Sequence, residues 1–209
     1  MDLRPRPEAQ REPASGEGAG VLLLTTETIR TERLVLRPFR ADDAEAVFTA
    51  CQSPDIPRWI AAIGVPYTRA DAAAFVTGEA PAARRAGTGM PVAIEADGVL
   101  VGASGVHRIG QHPLGPEIGY WSKDPRAPRP SRAQAGTLHG GRPRPEARRE
   151  LASGEEAGVL SLVADVRNTA SQAVARSAGF AQEGVLRSYL PYRDGTRGDA
   201  VLFSRLPTD

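Results

Sequence analysis

Three kinds of hydrophobic pattern follow one another along this chain. Over Arg33–Phe39 (RLVLRPF) apolar and basic residues alternate, the period-two signature of a half-buried strand. Then the spacing changes: Ala44, Val47, Phe48 and Cys51 fall at i, i+3, i+4 and i+7, one face of a helix. Asp42 stands where it can cap that helix, and Glu45, three places on, completes a capping box. A second helix is expected over 70–85, interrupted by Gly78 and Pro81. From residue 91 the period is two again. Pro91–Ala96 and Val99–Ile109 flank Asp97-Gly98, a dipeptide that supplies the positive φ of tight hairpin turns, so a β-hairpin is predicted. Pro116–Trp121 predicts another strand. Val159–Val166 (VLSLVADV) is almost continuously apolar, as in a strand covered on both faces. Asn168 then caps a short helix ending at Gly179, a residue suited to the left-handed position after a helix C-terminus. Strands over 181–189 and 199–206, joined by the turn-rich 192–198, complete the set.

Two stretches carry no such pattern. Residues 1–26 are polar and rich in Pro and Gly, with no apolar face to offset the entropy of ordering, so a disordered tail is expected there and folded structure from about residue 27. Residues 122–158 hold five prolines, five glycines and seven arginines but only two large aliphatics, Leu138 and Leu151. Strands on either side call for a crossover, normally a helix with an apolar stripe, and two leucines cannot form that stripe. The two stretches are related: 4–24 and 142–162 agree at 17 of 21 positions. Two copies so far apart, neither with an apolar face, do not make a solenoid. A duplication or a shifted reading frame accounts for them, and a pair of Arg/Pro-rich interaction arms is the alternative. The expected organisation is a tail over 1–26 and one domain over 27–209, aberrant and poorly ordered at 122–158.

Composition narrows the function. A chain of 209 residues, 41% hydrophobic, buries one good core. Its 26 basic and 25 acidic residues leave a net charge of +1, which gives no reason to propose nucleic-acid or membrane partners. No apolar run approaches the roughly 20 residues that span a bilayer, and the start of the chain lacks the apolar middle of a secretory signal, so a cytoplasmic protein is expected. The single cysteine, Cys51, excludes an internal disulfide framework and reads as core. His107 and His112 follow strands without paired ligands, so no metal site is expected.

Several pieces together resemble the Rim-type (ribosomal-protein N-acetyltransferase-like) branch of the GNAT N-acetyltransferases. They are Thr31-Glu-Arg-Leu-Val-Leu-Arg-Pro-Phe with Asp42-Asp43, then Arg58-Trp59, and Pro66-Tyr67-Thr68 before Phe75-Val76. Gly102 and Gly105, Glu117-Ile-Gly-Tyr-Trp121, Asn168-Thr-Ala-Ser171 through Ala178-Gly-Phe180, and Asp199–Leu206 follow in the same order. The resemblance covers about 27–121 and 159–209. It implies an α/β (α+β) domain, a mixed and mostly antiparallel sheet flanked by helices, with one parallel crossover that 122–158 disrupts. It also implies transfer of an acetyl group from acetyl-coenzyme A to a primary amine, either a small molecule or a protein N-terminus, in a monomer or homodimer.

The site residues follow from that resemblance. Amine acetylation needs a base for the ammonium, a donor for the oxyanion and a proton for the leaving thiolate. Glu117, opening the strand that lines the thioester, is the candidate base, with an ordinary strand-edge glutamate as the other reading. Ser171 is the candidate proton donor, or a second capping hydroxyl; the tyrosine many relatives carry further along that helix is Ala175 here. Asn168 is a helix cap and, by resemblance, a contact of the pantetheine arm. Trp121, Arg126 and Ser171 join Asn168 as the coenzyme A candidates, Tyr120 and Trp121 reading otherwise as core and rim. The family opens its central helix with an Arg/Gln-x-x-Gly-x-Gly/Ala loop whose free N–H groups cradle pyrophosphate. The corresponding stretch, 126–136, has Pro128 and Pro130, which have no N–H, and no Gly-x-Gly follows. The competing expectation is therefore a GNAT-fold protein with impaired or lost coenzyme A binding, acting as a non-catalytic or interaction protein.

Overall fold

A computed structural model describes residues 27–112, 114–123 and 159–209; the expectations for 1–26 and 124–158, Arg126 included, lie outside the described residues. Eight strands form one sheet: β1 (Ile29–Arg30), β2 (Val35–Arg37), β3 (Gly89–Ala96), β4 (Val99–His107), β5 (Glu117–Ser122), β6 (Leu160–Asp165), β7 (Ala181–Pro191) and β8 (Arg197–Arg205). Their order is β1-β2-β3-β4-β5-β6-β8-β7. Every neighbouring pair is antiparallel except β5 and β6, which are parallel. The mixed, mostly antiparallel sheet with one parallel pair is the architecture the sequence implied. At the β3–β4 hairpin, Asp97 and Gly98 take φ values of 49° and 78°, the left-handed pair expected of that dipeptide.

The first helices are entered differently from expectation. Asp42 is exposed and caps nothing; the chain passes through a 3-10 turn, Ala41–Asp43, into α1 (Ala44–Cys51). The Asp43 carboxylate, one residue on, accepts from the Arg40 N–H at 2.7 Å. Arg37 is the reason. Its guanidinium grips Asp43 with two bonds of 2.7 and 2.8 Å while its Nε donates to Glu95 at 2.6 Å, so the acid that can reach this buried cation is drawn inward. Glu45 turns away to an exposed pair with Arg69.

Beyond α2 (Asp55–Trp59) the reciprocal capping box belongs to Thr68 and Asp71, at the start of α3 (Arg69–Ala74). Gly78 and Pro81 do not interrupt the helix that follows. The path runs from α3 through a π-helical turn, Phe75–Glu79, into α4 (Ala80–Arg85), the Ala80 N–H bonding to Phe75 O. Pro81 falls in the first turn of α4, where the wider turn has already displaced the hydrogen-bond ladder and a missing N–H is tolerated. The last helix, α5 (Thr169–Ser177), follows expectation: Asn168 Oδ1 accepts from the Ser171 N–H at 3.0 Å. Gly179 ends it at φ 83°.

Strand alternation sorts the core onto two faces. Ala93, Ala103 and Trp121 stand in register and pack toward α1–α4, with Phe39, Val47, Cys51, Ile56 and Val76. Burial raises the Cys51 thiol to about 11, as suits an inert core residue. On the other face Val106 and Ile118 join Leu160, Leu162, Ala164 and Phe203 beneath Ala175 of α5 and Ala178 just after it. Leu36, Val92 and Ile94 extend that face toward β1. Replacing Asp43 by Ala leaves Arg37 buried with only Glu95 as acidic partner. A loss of about 3 kcal/mol in urea-denaturation stability is expected, and a loss under about 1 kcal/mol would show that Arg37 is satisfied without it.

Candidate active site

The parallel pair is barely a pair. Glu117 and Ser161 are the one register that β5 and β6 share. There the Ser161 N–H and hydroxyl both donate to Pro116 O, at 2.8 and 3.1 Å. Beyond that rung β5 stays in register with β4 and β6 with β8, but not with each other. The sheet therefore opens as a wedge whose apex is Glu117 and Ser161 and whose sides are Ile118–Ser122 and Leu162–Asp165.

Side chains approach this wedge from both faces. On the α5 face, the Tyr120 hydroxyl lies 2.8 Å from Ser171 Oγ and donates to Ser171 O at 3.1 Å. That contact ties β5 to the first turn of α5, the turn that Asn168 caps. Glu117 belongs to the opposite face, the one Trp121 shares. It is half-buried, and its Oε2 accepts from Arg108 Nη1 at 3.0 Å. Trp121 borders the wedge with its backbone while its ring packs against the helical core. Glu117, Trp121, Asn168 and Ser171 thus gather around one split, with Glu117 and Ser171 on opposite faces; Arg126 lies outside the described residues.

Two features were not read as site elements from sequence. One is the Tyr120–Ser171 contact, which the strand alternation hints at, since it turns Tyr120 away from Glu117 and Trp121. The other is a polar cluster at the open end of β6. The buried Asp165 takes three donors from Arg167, its backbone N–H at 2.8 Å, Nε at 3.0 Å and Nη2 at 2.9 Å, and the Tyr192 hydroxyl at 2.5 Å. Arg167 above all, with Tyr192 adding, holds this carboxyl at about 2. The sequence signal was an acid ending an otherwise apolar run, with an arginine two residues on. Next to Tyr192, Arg193 donates to the carbonyls of Pro57, Ile60, Ala61 and Ile63, joining the β7–β8 hairpin to α2 and the segment after it. Among the described residues no group of three or more His, Cys, Asp or Glu could hold a metal ion, and no helix is long and apolar enough to cross a membrane.

The family model for the acetyltransferase (GNAT) domain matches residues 33–181. The chain belongs to the GNAT acetyltransferase family. Among solved structures it is similar to Mycobacterium smegmatis RimJ in complex with a coenzyme A disulfide, at 24% identity and TM-score 0.64, over 84% of this chain and 82% of that one. It is also similar to RimL, a ribosomal L7/L12 alpha-N-protein acetyltransferase in complex with coenzyme A, at 18% identity and TM-score 0.67, over 86% and 98%. A third is the microcin C7 self-immunity acetyltransferase MccE with acetyl-coenzyme A and AMP, at 16% and 0.64, over 84% and 93%. At these identities the likeness is one of fold. No curated protein sequence matches significantly.

Because Asp165 is held below the roughly 3.9 of an unfolded aspartate, its contribution to stability is complete above about pH 4 and is lost as pH falls toward 2. Asp165→Asn is expected to flatten the acid limb of a melting-temperature profile between about pH 2 and 5. Parallel profiles for the two proteins would contradict this.

Proposed function

We propose that this chain transfers an acetyl group from acetyl-coenzyme A to a primary amine, on a protein N-terminus or a small molecule, by direct attack of the amine on the thioester. The observation that carries the proposal is the wedge. After one rung β5 and β6 no longer share a register, so their facing edges part. An extended chain bearing amides, such as the pantetheine arm, suits such an edge as a further strand would. Asn168 and the β5 edge at Trp121 are the residues proposed to hold that arm. Arg126, in the chain that continues from β5, is proposed to meet the phosphates.

The opposed faces suit the chemistry. Glu117 offers a carboxylate at the apex to receive the acceptor ammonium and assist its deprotonation. Ser171, hydrogen-bonded to Tyr120 on the other face, is proposed to return a proton to the departing thiolate. Acid and base functions that approach a thioester from opposite sides do not neutralise one another. A second reading has an observation in its favour: Pro128 and Pro130 stand where the family's phosphate loop offers N–H groups. In that reading coenzyme A binding is weak or lost and the protein acts through interaction alone.

Thiol release from acetyl-coenzyme A, measured against a panel of primary amines and peptides with free N-termini, separates the two. Amine-dependent release is expected, and Glu117→Gln is expected to lower kcat/KM by about 10²-fold while calorimetric affinity for coenzyme A stays unchanged. No heat of binding and no release would favour the interaction protein.

A further inference from the structure

Resting on the acetyltransferase reading, we infer that His107 takes the proton from the acceptor ammonium, and that Glu117 positions and tunes it. His107 ends β4 and is the cross-strand partner of Glu117, whose partner on its other side is Ser161. The imidazole thus stands one strand away from the apex of the wedge, on the face that carries Glu117 and Trp121. Its ring is laid across neighbouring backbone. A Cβ at Gly105 would fall 3.1 Å from His107 Nε2 and 3.2 Å from Cε1, and one at Gly119 would fall 3.6 Å from Nε2 and Cδ2. Glycine at both positions leaves the imidazole room to reach from β4 over β5, the strand that borders the wedge. Gly119 is two residues past the apex, so the ring lies over the β4–β5 pair at a level where β5 has already left the register of β6.

The two titratable neighbours divide the work. Glu117 is already engaged by Arg108 at 3.0 Å, which fixes its carboxylate beside the ring. A neutral imidazole is a proton acceptor suited to near-neutral pH. The groups facing the ring are Glu117 from β5 and Arg108, the residue just after β4, while β3 presents Gly89. Desolvation against the sheet is the largest influence and holds the imidazole below the ordinary histidine value, with Arg108 acting the same way and Glu117 opposing. The free imidazole therefore predominates at pH 7. In the step, an ammonium N–H bond breaks and its proton passes to the unprotonated ring nitrogen. The freed lone pair forms the C–N bond at the thioester carbonyl. On collapse the C–S bond breaks, the thiolate leaves as the thiol with a proton from Ser171, and the proton still carried by the adduct nitrogen replaces it. The imidazolium releases its own proton to water.

The test is the pH dependence of kcat between about pH 5 and 9 for the wild-type chain, His107→Gln and Glu117→Gln, with acetyl-coenzyme A and a primary amine. Wild type is expected to lose rate as pH falls through the imidazole titration. His107→Gln is expected to be slower by about 10²-fold at pH 7 and to show no such limb, with its KM for acetyl-coenzyme A unchanged. Glu117→Gln is expected to keep the limb but to move it to lower pH, since removing the opposing negative charge weakens proton binding by the ring. His107→Asn serves as a second variant if glutamine packs poorly over Gly105. A limb that persists without His107, or that disappears only without Glu117, overturns the inference and leaves the acetyltransferase reading standing. A wild-type chain with no acetyl transfer to any amine overturns both.

Discussion

Everything about this site depends on one parallel strand pair in a sheet that is otherwise antiparallel. An antiparallel neighbour can be reached by a tight turn and held along its whole length, as β3 and β4 are by Asp97-Gly98. A parallel neighbour must be reached by a crossover, and β5 and β6 touch at a single rung. Among the described residues an apolar cluster beneath α5 bridges the two halves of the sheet, where Val106 and Ile118 of one half meet Leu160 and Leu162 of the other. That arrangement keeps the strands together at the apex and lets them part beyond it.

Polar networks secure what the apolar cluster does not reach. Arg37, Asp43 and Glu95 fasten the entry to α1 onto β2 and β3, deep enough that the cation needs both acids. Tyr120 links β5 to α5 across the α5 face of the wedge, and Asp165, Arg167 and Tyr192 fix the open end of β6 to the β7–β8 hairpin. Arg193 carries that attachment to α2 and the segment after it. The sides of the wedge are thus braced from three directions.

Strong periodicity made most of this fold legible in the sequence. The hairpin at Asp97-Gly98, the apolar β6 and the Asn168-to-Gly179 helix were readable because local chemistry alone selects them. Asp42 was misread because Asp43, its neighbour, is claimed by a buried arginine from another strand, a tertiary fact with no local signal. Gly78 and Pro81 looked like breaks because propensity describes an α-helix and not the π-helical turn that accommodates them. The candidate site was proposed only through resemblance; the sequence placed Glu117, Trp121, Asn168 and Ser171 on segments whose arrangement only the fold supplies. The Tyr120–Ser171 contact and the laying of His107 over Gly105 and Gly119 depend on which strands lie side by side, and strand order is not written in any one segment.

The central claim is that the wedge between β5 and β6 receives the acyl donor. Amide hydrogen exchange, followed with and without coenzyme A, tests it most directly, because an arm bonded along a strand edge must slow exchange at that edge. The account predicts slowed exchange at residues 118–122 and 162–165, with β1, β2 and β7 unchanged. Bound coenzyme A that leaves those two strand edges unprotected, or that protects a different face of the sheet, would contradict it.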